Sequence, residues 1–412
     1  MGCGMHTQIK EVTTILTCPG RNYLIVKITA EDGITGFGDA TLNGRELAVQ
    51  SVIDNYLAEW LVGYDSEKIT DIWEMVFRGT YWRGGPVLMT ALAGIDMALW
   101  DIKGKRLGVP LYSLIGGKCR EKVIFYSHAH GETKDTLVQR AKELVESGCR
   151  VVRYSFDTES PYHKGVHYRQ PHQDIGIKRI ETANIQYAGL WDSGAYVNDL
   201  LHISEELRKA LGPQVGMIHD VHSRLTPIQA TAVARELESY SLMFLEDPID
   251  PMDRKGLRIL RDKSSTPIGT GELYTTMNDC ELVISERLID FIRVDISHFG
   301  GITPLLRLAN FADIHGVKTA FHGPSDISPL AHAASMHVDL SVPNFGIQET
   351  FEPDEPLKEV FDLPYFAKDD SLHMMDRPGI GVGFNEEAAL QYPFQKKYLP
   401  ILRDETGAFH NW

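Results

Sequence analysis

The sequence contains no apolar run near the roughly 18 residues that a membrane-spanning helix needs. Its opening stretch, Met1 to Thr7, has no apolar core of a secretion signal. Neither a membrane partner nor export is expected. Cysteine is scarce. Cys3, Cys18, Cys119, Cys149 and Cys280 are odd in number and include no CxxC pair, which speaks against a disulfide framework and for reduced thiols in the cytoplasm. Basic charge is in deficit: 41 Lys and Arg face 56 Asp and Glu, for a formal net charge of −15. The basic surface that nucleic acid or an anionic membrane demands is therefore missing. An acidic protein can still take an anionic substrate if it holds a local cation, and a bound metal is one.

What is present is a change of rhythm along 412 residues, a length that suits one large domain plus a smaller one. Residues 1–122 read as α+β. Tyr23-Leu-Ile-Val-Lys-Ile-Thr is strand-like, Asp32-Gly33 is a hairpin turn, and the period becomes helical after Asn43-Gly44, ending in the amphipathic Leu88–Arg106. From 123 to 384, short apolar strands that end in polar residues alternate with helices. Their starts are Val123, Val151, Val215, Leu242, Pro267, Phe291, Lys318 and Phe345. The spacing is 24–28 residues apart from one interval of 64. One βα unit of a (β/α)₈ barrel takes roughly 25–30 residues, so eight units predict a TIM-type barrel, with an insertion over about residues 157–195 in the long interval. Thr226-Pro227 and Thr303-Pro304 read as helix starts, and Gly148 and Gly316 as helix ends. Residues 385–412 form a C-terminal segment expected to return to the first domain and the active site.

Asp220, Glu246 and Glu272 stand 26 residues apart, each at or beside the end of a predicted strand. That places three carboxylates at one mouth of the barrel, where catalytic residues of such barrels gather. Anions so close repel unless a cation lies between them, and an all-oxygen set selects Mg²⁺ first and Mn²⁺ second. His222, two residues after Asp220, shares its face. His322 ends the seventh strand, and Asp326 four residues on is expected to orient it as a proton-transfer pair. Arg293 can pair with a carboxylate and Glu349 can accept from hydroxyls. His128, at the end of the first strand, and Asn43, in the first domain, are further candidates. A carboxylate-bound metal with histidines nearby suits removal of the α-proton of a carboxylate substrate.

These residues sit in stretches that make the chain resemble the enolase superfamily, and within it the D-mannonate dehydratase family, also called the D-galactonate dehydratase family. The stretches are Thr17-Cys-Pro-Gly-Arg-Asn, Gly38-Asp-Ala-Thr-Leu-Asn-Gly-Arg-Glu, Asp96-Met-Ala-Leu-Trp-Asp-Ile-Lys, His219-Asp-Val-His, Val342-Pro-Asn-Phe-Gly-Ile-Gln-Glu and the terminal Asn411-Trp412. The resemblance implies a capping domain over a modified barrel, with one Mg²⁺ per subunit on Asp220, Glu246 and Glu272. It implies an acid-sugar substrate held by Asn43, His128, His222, Glu272, Arg293, His322, Asp326 and Glu349, with Trp412 closing the site. His222 would expel the 3-hydroxyl, giving a 2-keto-3-deoxy acid. The family's base is a Tyr after the second strand, assisted by an Arg that Arg153 matches. This chain has a longer loop there, in which Tyr162 and Tyr168 are candidates and Tyr162 is taken as the expected base. Pro324 replaces the small residue that follows His-Gly in efficient mannonate dehydratases. A Mg²⁺-dependent dehydratase and a member with little turnover and a binding or regulatory role both follow from this. Arg153 stands on the second strand where racemases and cycloisomerases of the superfamily need a Lys. A homo-oligomer is expected.

Overall fold

The computed structural model describes residues 7–79, 81–131, 133–156, 187–396, 401–404 and 408–410. The chain forms two compact units: Met1–Ile124 with Glu272–Ile284 and Ile292–Lys396, and Phe125–Gly271 with Ser285–Phe291 and Lys397–Trp412.

The first unit opens with an antiparallel sheet of β1 (Ile9–Thr17), β2 (Tyr23–Ala30) and β3 (Thr35–Asp39). Gly33, at φ +84, makes the β2–β3 hairpin turn that Asp32-Gly33 predicts. Helices α1 (Glu46–Val52), α2 (Ala58–Leu61), α3 (Ile69–Gly79) and α4 (Pro86–Leu107) follow. Leu24, Val26, Ile28, Ile72, Leu92, Ile95 and Leu99 pack between sheet and helices. The approach of α4 to β3 depends on glycine: a Cβ on Gly36 would meet Ala98 O at 2.1 Å, and one on Gly38 would meet Gly94 O at 2.0 Å. No other residue allows backbone to lie so close to backbone.

After α5 (Leu111–Leu114), strands β4 (Val123–Gly131) and β5 (Val151–Phe156) flank α6 (Lys134–Glu146). Next come β6 (Tyr187–Trp191), α7 (Ser193–Leu211), β7 (Gly216–Asp220) and α8 (Pro227–Leu237). The remaining alternation is β8 (Phe244–Glu246), α9 (Arg254–Lys263), β9 (Ile268–Thr270), α10 (Met277–Ser285) and β10 (Phe291–Ile292). It closes with α11 (Ile302–Ile314), β11 (Lys318–Thr319), α12 (Pro329–Ser341) and β12 (Gln348–Glu349). Each of the eight expected strands is present. In the second unit β4, β5, β7, β8 and β9 pair in that order, all parallel. In the first unit the parallel bridges Asp295–His322 and Thr319–Phe345 continue the pattern.

The expected insertion ends earlier than its predicted limit of 195, because β6 and the start of α7 occupy residues 187–195. Thr226 caps α8 in a reciprocal box with Gln229, as the sequence predicts. Thr303 does not cap α11. That helix starts at Ile302 after Gly301, and Thr303 instead donates its N–H (2.9 Å) and hydroxyl (2.5 Å) to the buried Asp96. In the tail, Ala389 O accepts from Thr17 Oγ1 at 2.9 Å, and Gln395 bonds Asn22 twice. Ile401–Asp404 then runs parallel to β6.

Candidate active site

In the second unit, β7 and β8 pair so that Asp220 and Glu246 lie opposite one another at the strand ends. Both are buried. Asp247 joins them, and one carboxylate oxygen from each of the three lies within 4.8 Å of the others. Consecutive strand residues ordinarily face opposite ways. Asp247 escapes that rule because its φ of +35 turns the chain where β8 ends. The sequence pattern has no signal for that turn, so Asp247 was not anticipated.

Arg153, on β5, reaches between the acids. Its guanidinium contacts Asp220 Oδ2, and its Nε donates to Glu246 Oε2 at 3.2 Å. His222 donates its backbone N–H to Asp220 Oδ1 at 2.7 Å and its Nε2–H to Asp220 Oδ2 at 2.5 Å. Arg224 Nη2 donates to His222 Nδ1 at 2.8 Å, which fixes the tautomer. Arg224 was also not anticipated; its i+4 spacing from Asp220 along a loop carries no periodic signal. Burial alone would raise Asp220, but His222 and Arg153 hold it far below the ordinary carboxylate range. Burial lowers His222; Asp220 opposes the shift while Arg224 and Arg153 add to it. His222 therefore stands as a neutral imidazole in this arrangement. His128, exposed on β4 and in register with Arg153, stacks on Tyr126 at 5.6 Å. His219 lies on the opposite face of β7, where it donates to Tyr154 O and accepts from Tyr196. Burial takes it down to about 3, so it is a core histidine.

In the first unit, β10 leads to Arg293 and Asp295. Arg293 is fully buried and donates to Ala320 O at 3.0 Å and to Glu349 Oε2 at 3.1 Å. Glu349 also accepts from Gly323 N. The expected partner of His322 is corrected here. His322 Nδ1 donates to Asp295 Oδ2 at 2.8 Å, while Asp326 accepts from Asn43 Nδ2 at 3.1 Å. Nearness in sequence pointed to Asp326, whereas the strand pairing brings Asp295 across from His322. Glu272 Oε2 lies 3.4 Å from His322 Nε2. Burial would lower His322, but Asp295, Glu349, Glu272 and Asp326 together raise it well above the ordinary imidazole value. It is an imidazolium at neutral pH.

A buried knot supports this arrangement. Asp39, at the end of β3, accepts from Ser297 Oγ (2.6 Å), Thr41 Oγ1 (2.7 Å) and Ser328 N (3.3 Å). Ser297 N in turn donates to Asp295 Oδ1 at 2.7 Å. A hydrogen-bonded path thus runs Asp39–Ser297–Asp295–His322. Arg21 and Tyr23 hold the loop after β11 by bonds of 2.9 and 2.8 Å to Ser325.

Tyr162, Tyr168 and Trp412 lie outside the described residues. The donor set in the second unit suits a hard cation: buried carboxylate oxygens only, with one arginine spanning two of them.

Residues 6–116 match the mandelate racemase/muconate lactonizing enzyme N-terminal domain family, and residues 136–388 the enolase C-terminal domain-like family. A D-mannonate dehydratase of Caulobacter sp. strain K31 is 43% identical over 98% of this chain and 100% of its own. A D-galactonate dehydratase family member of Pseudarthrobacter chlorophenolicus is 42% identical over 96% and 98%. The crystal structure of an enolase from Pantoea ananatis with bound D-gluconate and Mg aligns with a TM-score of 0.88 and 39% identity, over 98% of this chain and 99% of that one. The fold class is accordingly the expected one, an N-terminal α+β domain followed by a parallel-stranded barrel domain. The chain is a member of the enolase superfamily and belongs to its D-mannonate/D-galactonate dehydratase family.

Proposed function

We propose that this chain is a Mg²⁺-dependent hydro-lyase that dehydrates an acid sugar, taking an aldonate such as D-mannonate or D-gluconate to a 2-keto-3-deoxyaldonate. The observation that carries this reading is the buried carboxylate cluster around Asp220 and Glu246, with Arg153 and His222 against it.

In this reading Asp220, Glu246 and Glu272 hold one Mg²⁺ per subunit, and Mn²⁺ can replace it. When bound, the ion supplies the positive charge that polarises the substrate carboxylate and makes its α-proton acidic enough to remove. The rest falls to the chain. Tyr162, assisted by Arg153, takes the proton from C2. His222, neutral in the arrangement described above, must first take up a proton; it then gives that proton to the departing 3-hydroxyl, and the enol left behind tautomerises to the 2-keto acid. Asn43, His128, Arg293, His322, Asp326, Glu349 and Trp412 orient the sugar acid. The reading includes a homo-oligomer in the cytoplasm; among the described residues Cys18, Cys119, Cys149 and Cys280 are free thiols, which supports the location.

The test is a panel of aldonates and aldarates with Mg²⁺, followed by detection of keto acid. Product is expected from at least one aldonate and is expected to vanish in His222→Asn. Undiminished turnover in that variant would remove His222 from the mechanism. No product across the panel, together with a ligand that raises the melting temperature, would replace catalysis by a binding or regulatory role.

A further inference from the structure

We propose that His332 is a positioning residue: held as a single tautomer between Tyr365 and Glu349, it fixes where Glu349 stands. His332 lies on α12 and is fully buried. Both of its ring nitrogens are engaged. Nε2 lies 3.0 Å from the backbone carbonyl oxygen of Glu349, and Nδ1 lies 3.0 Å from the Tyr365 hydroxyl. A carbonyl oxygen only accepts, so Nε2 carries the proton. Nδ1 then has a lone pair to offer, and the Tyr365 hydroxyl donates to it. Tyr365 is itself buried, at the start of a short strand, Tyr365–Lys368, that pairs with Ser371–Met374. The imidazole thus spans from that hairpin to the end of β12.

Histidine suits this place for a physical reason. A neutral imidazole presents a donor and an acceptor on different edges of one rigid ring. Asn and Gln carry both on a single terminal amide, and Lys and Arg only donate. Burial pushes His332 down to about 4, against the pull of Glu349, so the ring is uncharged at neutral pH. A second cation here would compete with Arg293 and Gly323 N, which set the direction of the Glu349 carboxylate through Oε2. The neutral ring holds the backbone of that acid and leaves its charge alone.

Packing ties the same ring to the loop after β11. Gln348 Nε2 donates to the Glu349 carbonyl as well, at 2.7 Å. A Cβ on Gly323 would meet Gln348 Nε2 at 2.7 Å, Glu349 O at 3.1 Å and His332 Cδ2 at 3.3 Å. Gly323 directly follows His322, and its own N–H bonds the Glu349 carboxylate. A close-packed interior passes such a shift on to its neighbours. Loss of the imidazole therefore displaces Glu349 and the start of this loop together.

The role rests on the reading above, in which Glu349 orients the sugar acid, but its first test needs no substrate. Two-bond ¹H–¹⁵N spectra of the full-length chain with labelled histidine are expected to show His332 as the Nε2–H tautomer, unchanged from about pH 6 to about pH 8. His332→Gln identifies its signals by removing them. Tyr365→Phe is expected to shift the Nδ1 resonance, since that nitrogen loses its donor. An imidazolium, the Nδ1–H form, or an Nδ1 resonance indifferent to Tyr365→Phe overturns the proposal. The second test is kinetic. His332→Leu is expected to raise KM for the aldonate about tenfold and Tyr365→Phe about threefold, with kcat within about twofold of wild type. The rise in melting temperature on adding Mg²⁺ should persist in both, a sign that they fold. His332→Gln, which can still donate to Glu349 O, should recover most of the loss. Unchanged KM, or a fall in kcat alone, overturns the positioning role. No product from wild type, with the tautomer as expected, would sink only the dehydratase reading; the aldonate's dissociation constant by calorimetry then takes the place of KM.

Discussion

Around Asp220 and Glu246, three buried carboxylates crowd together within 4.8 Å; His222 donates to Asp220 and Thr270 to Asp247, but the guanidinium of Arg153 is shared between Asp220 and Glu246. Around Asp295 and Glu349, each acid has its own donors: His322 and Ser297 N for Asp295, Arg293 and Gly323 N for Glu349. The same residue types at equivalent strand ends thus do different work. The first group concentrates negative charge and is ready for a cation. The second spends its charge on neighbours and fixes the direction of an imidazolium and a guanidinium.

The largest effects should come from the first group. His222→Asn is expected to lower aldonate dehydration by about 10²–10⁴-fold, read as keto acid formed per unit time. In the same group, Mg²⁺ is expected to raise the melting temperature of wild type and to leave that of Asp220→Asn unmoved, since a ligand stabilises only the state that binds it. An equal rise in both would place the ion elsewhere.

In the second group, Arg293→Ala should cost about 3–5 kcal/mol in urea unfolding, because it leaves Glu349 buried and charged without its partner. A loss below about 1 kcal/mol would mean that the pair is not sealed from water.

Asp96 sharpens the contrast as a third case, a buried acid whose close donors are neutral. Burial pushes it up to about 7 from 3.8, while its bonds from Thr303 pull the other way. Because the folded value is the higher one, the unfolded chain loses its proton first as pH rises. This contribution to stability is complete below about pH 4 and declines until about pH 7, by a total of about 4 kcal/mol. Asp96→Asn should therefore lose less unfolding free energy than wild type between about pH 5 and about pH 8.

Asp39→Asn should lower kcat about tenfold with little change in KM, because Asp39 touches Ser297 and not the reacting atoms. A matched rise in KM would assign it to binding instead. The smallest effect is expected outside both groups: Thr226→Ala removes a helix cap and should cost about 1 kcal/mol with turnover unaltered.

Periodicity made the strand ends legible. Equal spacing was enough to find Asp220 and Glu246, and all eight strands lie where their apolar runs predict them. What was illegible depends on the third dimension. Asp295 orients His322 across a strand pair, a partnership that nothing within 27 residues of sequence announces. Asp247 enters the acid cluster through one unusual backbone angle. Thr303 has the sequence of a helix cap but is claimed by Asp96 on a distant helix, so Gly301 begins α11 in its place. The tendency of a local pattern yields where a buried carboxylate needs a donor.

The Asp39 knot has a consequence for descent. β3, Ser297 and Ser328 share one buried carboxylate, so they must be inherited together. A graft that exchanged the first hundred or so residues for those of a distant relative would unseat Ser297, and with it the acid that steers His322, unless both loops travelled with the graft. The first domain is for that reason a poor unit of recombination, although its own sheet and core would survive the transfer. Breakpoints tolerated by this chain should fall elsewhere, at positions where no such shared group is cut.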